Sequence, residues 1–588
     1  MTIGSNEVSL TSPTSTLAGT AFGALSGELR VGTLRGDSGL VATRPFANDD
    51  SEDIVVHSFS DGMFGGTVRL APAGSNGKDR GTFIVRGTAR QTLTGLFVSP
   101  DSPAGSDALQ ISKDVAVGHG ATLTLASSGS LGKQTEGAII LAGGTFELDN
   151  RATNHPDRLR DADAGSTGVD TNGGGVFRLI GNSAGSNELA GRVQLGSPTN
   201  QRSGQLSIAV QHSAGAAAAT ALAFQSLSRD GSVPTSATVD FSASDANRAV
   251  LPLGQSGAAP RISFVTAPPL TNGLLRNTRN INSDVGWATV NGSAFATHGS
   301  NGIAPVPVSA PPAGNTVGNA TENAEVRGDF TVSSGANGSY RMNSLRIEPS
   351  AGNQSFSVAS GRSLETNAVL LAGDRDYTIA GPGFFAARYV YVDRATLALT
   401  AATGSHLVKS GDGMLDVRGA FTPSFTINAG SVRVPSDYGG LVQLRGGLLE
   451  LTGGGTFARS VGVRGALNWQ GADQFDNAIT EDVGSGGFAA FGSDVTIDLN
   501  EAGPSGLLWE SNGFVQAGHA LIFGSRTADH RVTWRDNLSL SEASQTYNAR
   551  EIRVNDNPFP PGTSRSSAAS SPAERKAICS KPDRARWS

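Results

Sequence analysis

The sequence predicts an all-β fold: a parallel β-helix, or β-solenoid, of imperfect glycine-punctuated repeats with one interruption and a disordered C-terminal tail. Three observations carry this. Residues 406–434 (HLVKSGDGMLDVRGAFTPSFTINAGSVRV) hold short apolar-polar alternations, MLDV, FTI and SVRV, cut every six to ten residues by Gly, Asn or Pro. Period-two alternation marks strands, and the breaking residues tolerate positive φ or end a strand. The same pattern returns at 139–150 (IILAGGTFELDN), 172–182 (NGGGVFRLIGN) and 438–469, and imperfect recurrence of a strand and a glycine corner marks a stacked repeat. Finally, glycine contributes 77 of 588 residues and charged residues only 16%, while no run of about ten residues shows the i, i+3, i+4, i+7 apolar spacing of a helix.

The chain divides by composition. Residues 1–304 form the first series of repeats, with strands such as GELRVGTL (27–34), GTFIVRG (81–87) and ATLTLA (121–126) early on. From 141 the loops grow longer and richer in Asn, Asp and Pro. The run 214–224 (AGAAAATALAF) reads as a helix or, equally, as a small-residue strand or corner. Residues 305–325 (PVPVSAPPAGNTVGNATENAE) are proline-rich and polar, a loop or linker between two halves. A second strand series fills 326–558. The pattern then stops: 559–588 has no alternation, two of the six lysines and the only cysteine, Cys579, and is expected to be disordered. A change of reading frame past Pro558 is the expected cause, which the surrounding nucleotide sequence would test.

If about three strands close each coil of roughly 20–25 residues, some 22–28 coils would give a rod roughly 100–130 Å long. Inward Leu449 and Leu451 should then matter far more than outward Glu450. An uncapped end at Pro558 should promote self-association of the chain.

Composition excludes several functions. The net charge is −6, and without the +4 tail the body carries −10, so no basic stripe for nucleic acid exists. One cysteine, in the tail, leaves the body without disulfides or a cysteine metal site. No apolar run of about eighteen residues is present to span a bilayer as a helix, and 1–25 lacks the basic and apolar regions of a secretory leader.

Motifs with chemical connotations have plainer readings. The acidic stretch 48–53 (NDDSED) reads as exposed turn residues, with calcium binding the sharper alternative. Gly181-Asn182-Ser183-Ala184-Gly185 matches G-x-S-x-G, but Ser, Gly and Asn follow where a helix should begin, so it reads as a turn. Gly36-Asp37-Ser38-Gly39 resembles a serine-protease motif, yet Ser38 precedes every histidine. Two R-G-D tripeptides, Arg35-Gly36-Asp37 and Arg327-Gly328-Asp329, are unremarkable in such a composition. The eight histidines (57, 119, 155, 212, 298, 406, 519 and 530) show no paired spacing. Asp374, Arg375, Asp376 and Arg388 are the best candidates for the acids and bases of a β-helix enzyme that cuts acidic glycans. No residue is assigned a catalytic, cofactor-binding or metal role.

Within 406–434, VKSGDGMLDVRGAFTPSFTINAGSVRV resembles the autotransporter-associated beta strand repeat, of the form K-T-G-x-G-x-L-x-L-x-G followed by a spacer and I-x-x-G-x-L. Lys409, Gly411, Gly413, Leu415, Val417, Gly419, Ile427, Gly430 and Val432 fall on its patterned positions. Segments 143–164, 177–188, 262–270 and 548–558 are similar to large surface proteins of planctomycete-type bacteria that carry this repeat. The resemblance implies a secreted or cell-surface β-solenoid passenger, a fragment of a longer protein, with no catalytic residues or cofactor. It implies partners among extracellular matrix or surface glycans and proteins. The expected function is structural and adhesive, the alternative being a β-helix polysaccharide lyase or hydrolase.

Overall fold

In the computed structural model the chain is all-β, with no α-helix among the described residues. Described are residues 8–9, 16–18 and 28–555, less 39, 43–52, 70–81, 99–111, 132–136, 160–167, 197–201, 230–235, 278–283, 312–318, 334–337, 405, 420–422, 464, 473–478, 500–506, 517 and 540–549; then 557 and 574–579. Residues 48–52 of the acidic stretch therefore lie outside the described residues.

The strands stack as two parallel β-solenoids. The first is built on a ten-stranded and a nine-stranded sheet, with a five-stranded third face limited to its early coils. The second is built on a nine-stranded and an eleven-stranded sheet, with a three-stranded third face near its end. Inward side chains pair with their like from coil to coil, as alternation requires. In the second solenoid Tyr377, Leu397, Leu415, Val432, Leu449 and Phe488 form one such row. In the first, Phe146 stacks on Phe177 with ring centroids 5.7 Å apart. The run 214–224 is a corner leading into the strand Thr220–Ser228.

Coil length differs between the halves and departs from the expected 20–25 residues. In the first half, paired residues one coil apart lie between 23 positions (Leu123 to Phe146) and 49 positions (Val239 to Ala288) along the chain. In the second, Ala324, Leu345, Val369, Val390, Lys409, Ile427 and Leu444 are successive partners, so the coils take 21 and 24 residues and then shorten to 17. Long loops in the first half take up residues without adding coils, so fewer coils form than the composition suggested.

The repeat-like segment shows why its Lys and Gly positions are linked. Gly411 and Gly430 adopt φ of 76° and 64°, in the left-handed region open to glycine. A Cβ on Gly430 would lie 2.4 Å from the carbonyl oxygens of Gly411 and Gly413. The fully buried Lys409 ammonium donates to the carbonyls of Ser410 (2.9 Å), Gly411 (2.7 Å) and Ala429 (3.1 Å), tying two corners together. Burial pulls its pKa down to about 7, against a favourable pull from Asp412.

The two solenoids do not continue one another as a rod. They lie side by side in opposite directions, and the reversal falls between the strands Gly302–Pro305 and Asn323–Val326. His119 N–H donates to the Gly518 carbonyl (2.8 Å), Gly204 N–H to Asn428 (3.0 Å), Thr238 shares a hydroxyl contact with Ser410 (2.9 Å), and Arg346 donates to the Ser293 carbonyl (2.6 Å). As the first partner's number rises, the second's falls. With coils about 4.8 Å apart, a nine-strand stack beside an eleven-strand one is about 40–50 Å long, not 100–130 Å. The polar turn permits the reversal because Ala368, Leu370, Tyr389 and Tyr391 of the second half join the apolar core of the first. At the turn, Ala294–Gly299 and Gly302–Pro305 add antiparallel to Ala288–Val290 and close the first stack. Val306 still belongs to its core.

The seam holds an electrostatic liability. Asp240 accepts hydrogen bonds from the Thr289 hydroxyl and the Gly292 N–H (both 2.8 Å) within reach of the charges of Asp393 and Asp412. Burial, aided by those two carboxylates, pushes its pKa up to about 6. A raised folded pKa contributes stability that is present below the unfolded value of about 3.9 and lost as pH rises through about 6. Asp240→Asn, which keeps both accepted bonds, is therefore expected to raise the melting temperature at pH 8, by up to roughly 3 kcal/mol of stability, and to change nothing at pH 4. Equal shifts at both pH values would refute the assignment.

The C-terminal end differs from expectation. Part of the tail expected to be disordered, Glu574–Cys579, pairs antiparallel with the last coil strand, Arg550–Asn555. An end strand presents a row of unsatisfied N–H and C=O groups, and any segment able to extend alongside it satisfies them. Self-association is thus expected of a chain ending at Pro558, while the full chain sediments as a monomer. A monomeric truncated chain at the same micromolar concentration would contradict this role for the tail strand.

Candidate functional site

The second half carries a lateral groove on its early coils. Two long strands, Ser339–Ile347 and Ser363–Leu371, run past an asparagine corner, followed on the next coil by Phe384–Ala386 and Tyr389–Val392. At the corner Asn367 donates to the side-chain oxygen of Asn343 (3.1 Å), and Asn343 donates to that of Asn323 (2.8 Å). Arg388 follows on the next coil, its N–H bonded to the Asn367 carbonyl (3.2 Å).

Before the corner, Ser339, Ser363 and Phe384 are in register, as are Arg341, Glu365 and Ala386. Alternation sends these outward, while Tyr340, Leu364 and Phe385 between them are buried. The outer row opens two adjoining depressions. One, of ≈ 460 Å³, is bordered by Gly338, Gly361, Pro382 and Phe384, which is 40% exposed. The other, of ≈ 610 Å³, is bordered by Arg341, Glu365, Asn367, Arg388 and His406.

Among the described residues Glu365 is the only carboxylate bordering either depression, and it is fully engaged. It accepts from the Ser339 hydroxyl (2.7 Å), the Ser363 hydroxyl (3.1 Å) and Arg341 Nε (2.9 Å). The hydrogen bond from Ser339 is the main reason its pKa lies below the ordinary glutamate value, with Ser363 and Arg341 adding to it against partial burial. It is ionised at neutral pH and so has no proton to give a leaving group.

The four residues singled out from the sequence are not brought together. Asp374, Arg375 and Asp376 occupy an exposed turn after Ser363–Leu371. There Arg375 donates to the Pro349 carbonyl (3.2 Å), and Asp376 accepts from Thr396 N–H (2.7 Å), stapling neighbouring coils. Arg388 alone reaches the groove. It also lies 3.5 Å from Asp284 of the first half and over the Tyr389 ring.

The other motifs are structural. Residues 181–185 turn from one strand into the strand Ser186–Gln194, with the Asn182 side chain accepting from Ala184 N–H (2.9 Å). In the second R-G-D, Arg327 pairs with Glu325 and Glu348, Asp329 accepts from Ser355 N–H (2.7 Å), and the Gly328 carbonyl accepts from Tyr377 (2.8 Å). Ser38 lies in a bend. Among the described residues no three His, Cys, Asp or Glu side chains converge as metal ligands would.

Sequence reasoning missed Arg341, Glu365 and Phe384. A signal existed: in Phe384-Phe385 one of two adjacent strand aromatics must face outward. It also missed that His119 and His519 border one small cavity of ≈ 30 Å³ at the seam, together with Arg86, Arg550 and Glu551. Burial, with the charges of Arg86 and Arg445, pushes the pKa of His519 down to about 3, so it is neutral there.

No protein-family model, curated protein or solved structure matches the chain.

Proposed function

We propose that this chain is a structural and adhesive passenger-type β-solenoid of an exported bacterial surface protein, belonging with the autotransporter-associated beta strand repeats and carrying no catalytic site. The observation that supports it most is the groove itself. It is a wide, shallow surface built across successive coils, bordered by hydroxyls, an amide, arginines and an exposed aromatic ring, with one carboxylate already committed to three donors. Glycoside hydrolysis generally needs two carboxyl groups flanking the bond, roughly 5–10 Å apart, and among the described residues the groove offers one. Surface contact needs only shape, hydrogen-bonding groups and rigidity, which a stack of coils supplies.

Two measurements test the reading. Antibody raised against the chain should label intact cells of the producing organism, and protease applied to those cells should remove the label. Purified protein incubated with polygalacturonate or alginate should release neither reducing ends nor unsaturated uronides. Label seen only after lysis would sink the surface assignment, and product release would move the assignment to the polysaccharide lyase or hydrolase.

A further inference from the structure

We infer that the groove of the second half is a subsite for an acidic glycan, taking a sugar ring on Phe384 and a uronate carboxylate at the Arg341–Arg388 end. This rests on the adhesive reading above and names the ligand class that reading leaves open.

The charge balance is the first argument. The chain as a whole carries −6, yet Arg341, Arg362 and Arg388 gather around the two depressions, Arg341 pairing with Glu365 and Arg388 with Asp284, while Glu365 is the one acid among the described residues bordering them. The Arg341 side chain is 60% exposed and that of Arg388 37% exposed, so both present guanidinium edges to solvent. A guanidinium matches a carboxylate with two parallel hydrogen bonds, which makes a carboxylate-bearing ligand a better complement than a neutral one.

Shape is the second. Phe384 stands beside Pro382 and near bare glycines. An ideal Cβ on Gly361 would meet nothing within 4 Å, so the space above that backbone is open. A flat aromatic face next to unobstructed backbone suits the C–H-rich face of a pyranose, while Ser339, Ser363 and Asn367 offer hydroxyl and amide groups for ring hydroxyls. These rows repeat from coil to coil at about 4.8 Å, close to the length of one sugar residue in an extended chain. An oligosaccharide lying across the coils would therefore meet Ser339, Ser363 and Phe384 in turn.

Single-stranded nucleic acid also uses aromatic platforms and arginines. It needs a continuous cationic track for its phosphates, and Glu365 interrupts this one between the aromatic end and the Arg388 end.

Titration calorimetry on the full chain tests the proposal, with an oligogalacturonate of about six residues, its methyl-esterified form, and an oligothymidylate of similar length as probes. The expected result is saturable, salt-sensitive binding of the acid form, at least about tenfold weaker binding of the ester, and about tenfold losses for Phe384→Ser and for Arg341→Gln. Both side chains are exposed, so unchanged melting temperatures should accompany the losses. No binding by the wild-type chain, equal binding of the ester, tighter binding of oligothymidylate, or unchanged affinity in both variants would overturn the subsite. If the acid form does not bind while intact cells still carry the label, the subsite fails and the surface scaffold stands. If the acid form binds and is cleaved, the scaffold reading fails and the subsite stands.

Discussion

Leu449→Asp is expected to unfold the second solenoid, seen as loss of soluble protein or a melting temperature lowered by more than ten degrees. Leu449 is fully buried between Val432 and Phe488 on neighbouring coils. Losing its burial costs roughly 1.5–3 kcal/mol. The carboxylate must also be desolvated with no partner in the row, at several kcal/mol more. Against a usual total of roughly 5–15 kcal/mol, this is a large share. Glu450, the outward neighbour expected to tolerate change, is not a surface residue: it is 0% exposed. It pairs with Arg433 (Nε–Oε1 2.6 Å) and accepts from the hydroxyls of Ser525 and Thr527 in a loop that covers this face. Arg433 lies 3.5 Å from Asp416 on its other side and 3.5 Å above the Phe491 ring. Glu450→Ala should therefore cost roughly 3–5 kcal/mol, because it strands a buried arginine, whereas Arg433→Met with Glu450→Leu should be close to neutral. A Glu450→Ala variant as stable as wild type in urea would show that the covering loop does not hold.

Asp284→Ala is expected to part the two halves. Asp284 accepts from Arg229 (2.5 Å) and from the Tyr389 hydroxyl (2.9 Å), and Arg229 also donates to Tyr389 (2.7 Å). The Arg229 side chain is 0% exposed, stacked near Trp287 and Tyr389. Removing the carboxylate leaves that charge uncompensated, at roughly 3–5 kcal/mol. Faster proteolysis within 305–325 and a larger radius of gyration should report the opening, and unchanged values for both would argue against the seam. The pH dependence follows. Burial raises the Asp284 pKa, but the charges of Arg229 and Arg388 and the hydrogen bonds from Arg229 and Tyr389 outweigh it and hold it below the ordinary value. The stabilisation is present above the unfolded pKa of about 3.9 and is lost as pH falls through the lower folded value. Wild type and Asp284→Ala should therefore converge in stability only in strong acid.

Period-two alternation and glycine corners carry local information, which is why the all-β stack and the inward row through Leu449 were readable from the chain. Alternation also says that Glu450 faces away from its own core. It does not say what lies over it, because Ser525 is 75 residues further on. The seam was unreadable for the same reason: His119 meets Gly518, and Arg229 meets Tyr389, through contacts that no repeat unit encodes. Of the groove, Arg388 was found through its charge. Glu365 and Arg341 look like ordinary outward strand residues until registration places them side by side. The Asp374–Asp376 charges sit on an exposed turn between coils, which uses the same residue types as a catalytic loop, so charge alone does not separate the two.

The antiparallel arrangement of the two stacks also has a mechanical meaning. The coils of lowest number in the first stack lie beside those of highest number in the second, so tension applied at that end would load the contacts around the small cavity bordered by Arg86, His119, Gly518 and Glu551 first and the others in sequence. Such a joint peels open at low force, one contact at a time, and lengthens the molecule as it yields. Pulled at the turn and at the opposite end of one stack, the same seam would be sheared along its whole length and resist far more. A protein of this shape is a compliant tether in one direction of pull and a stiff strut in the other.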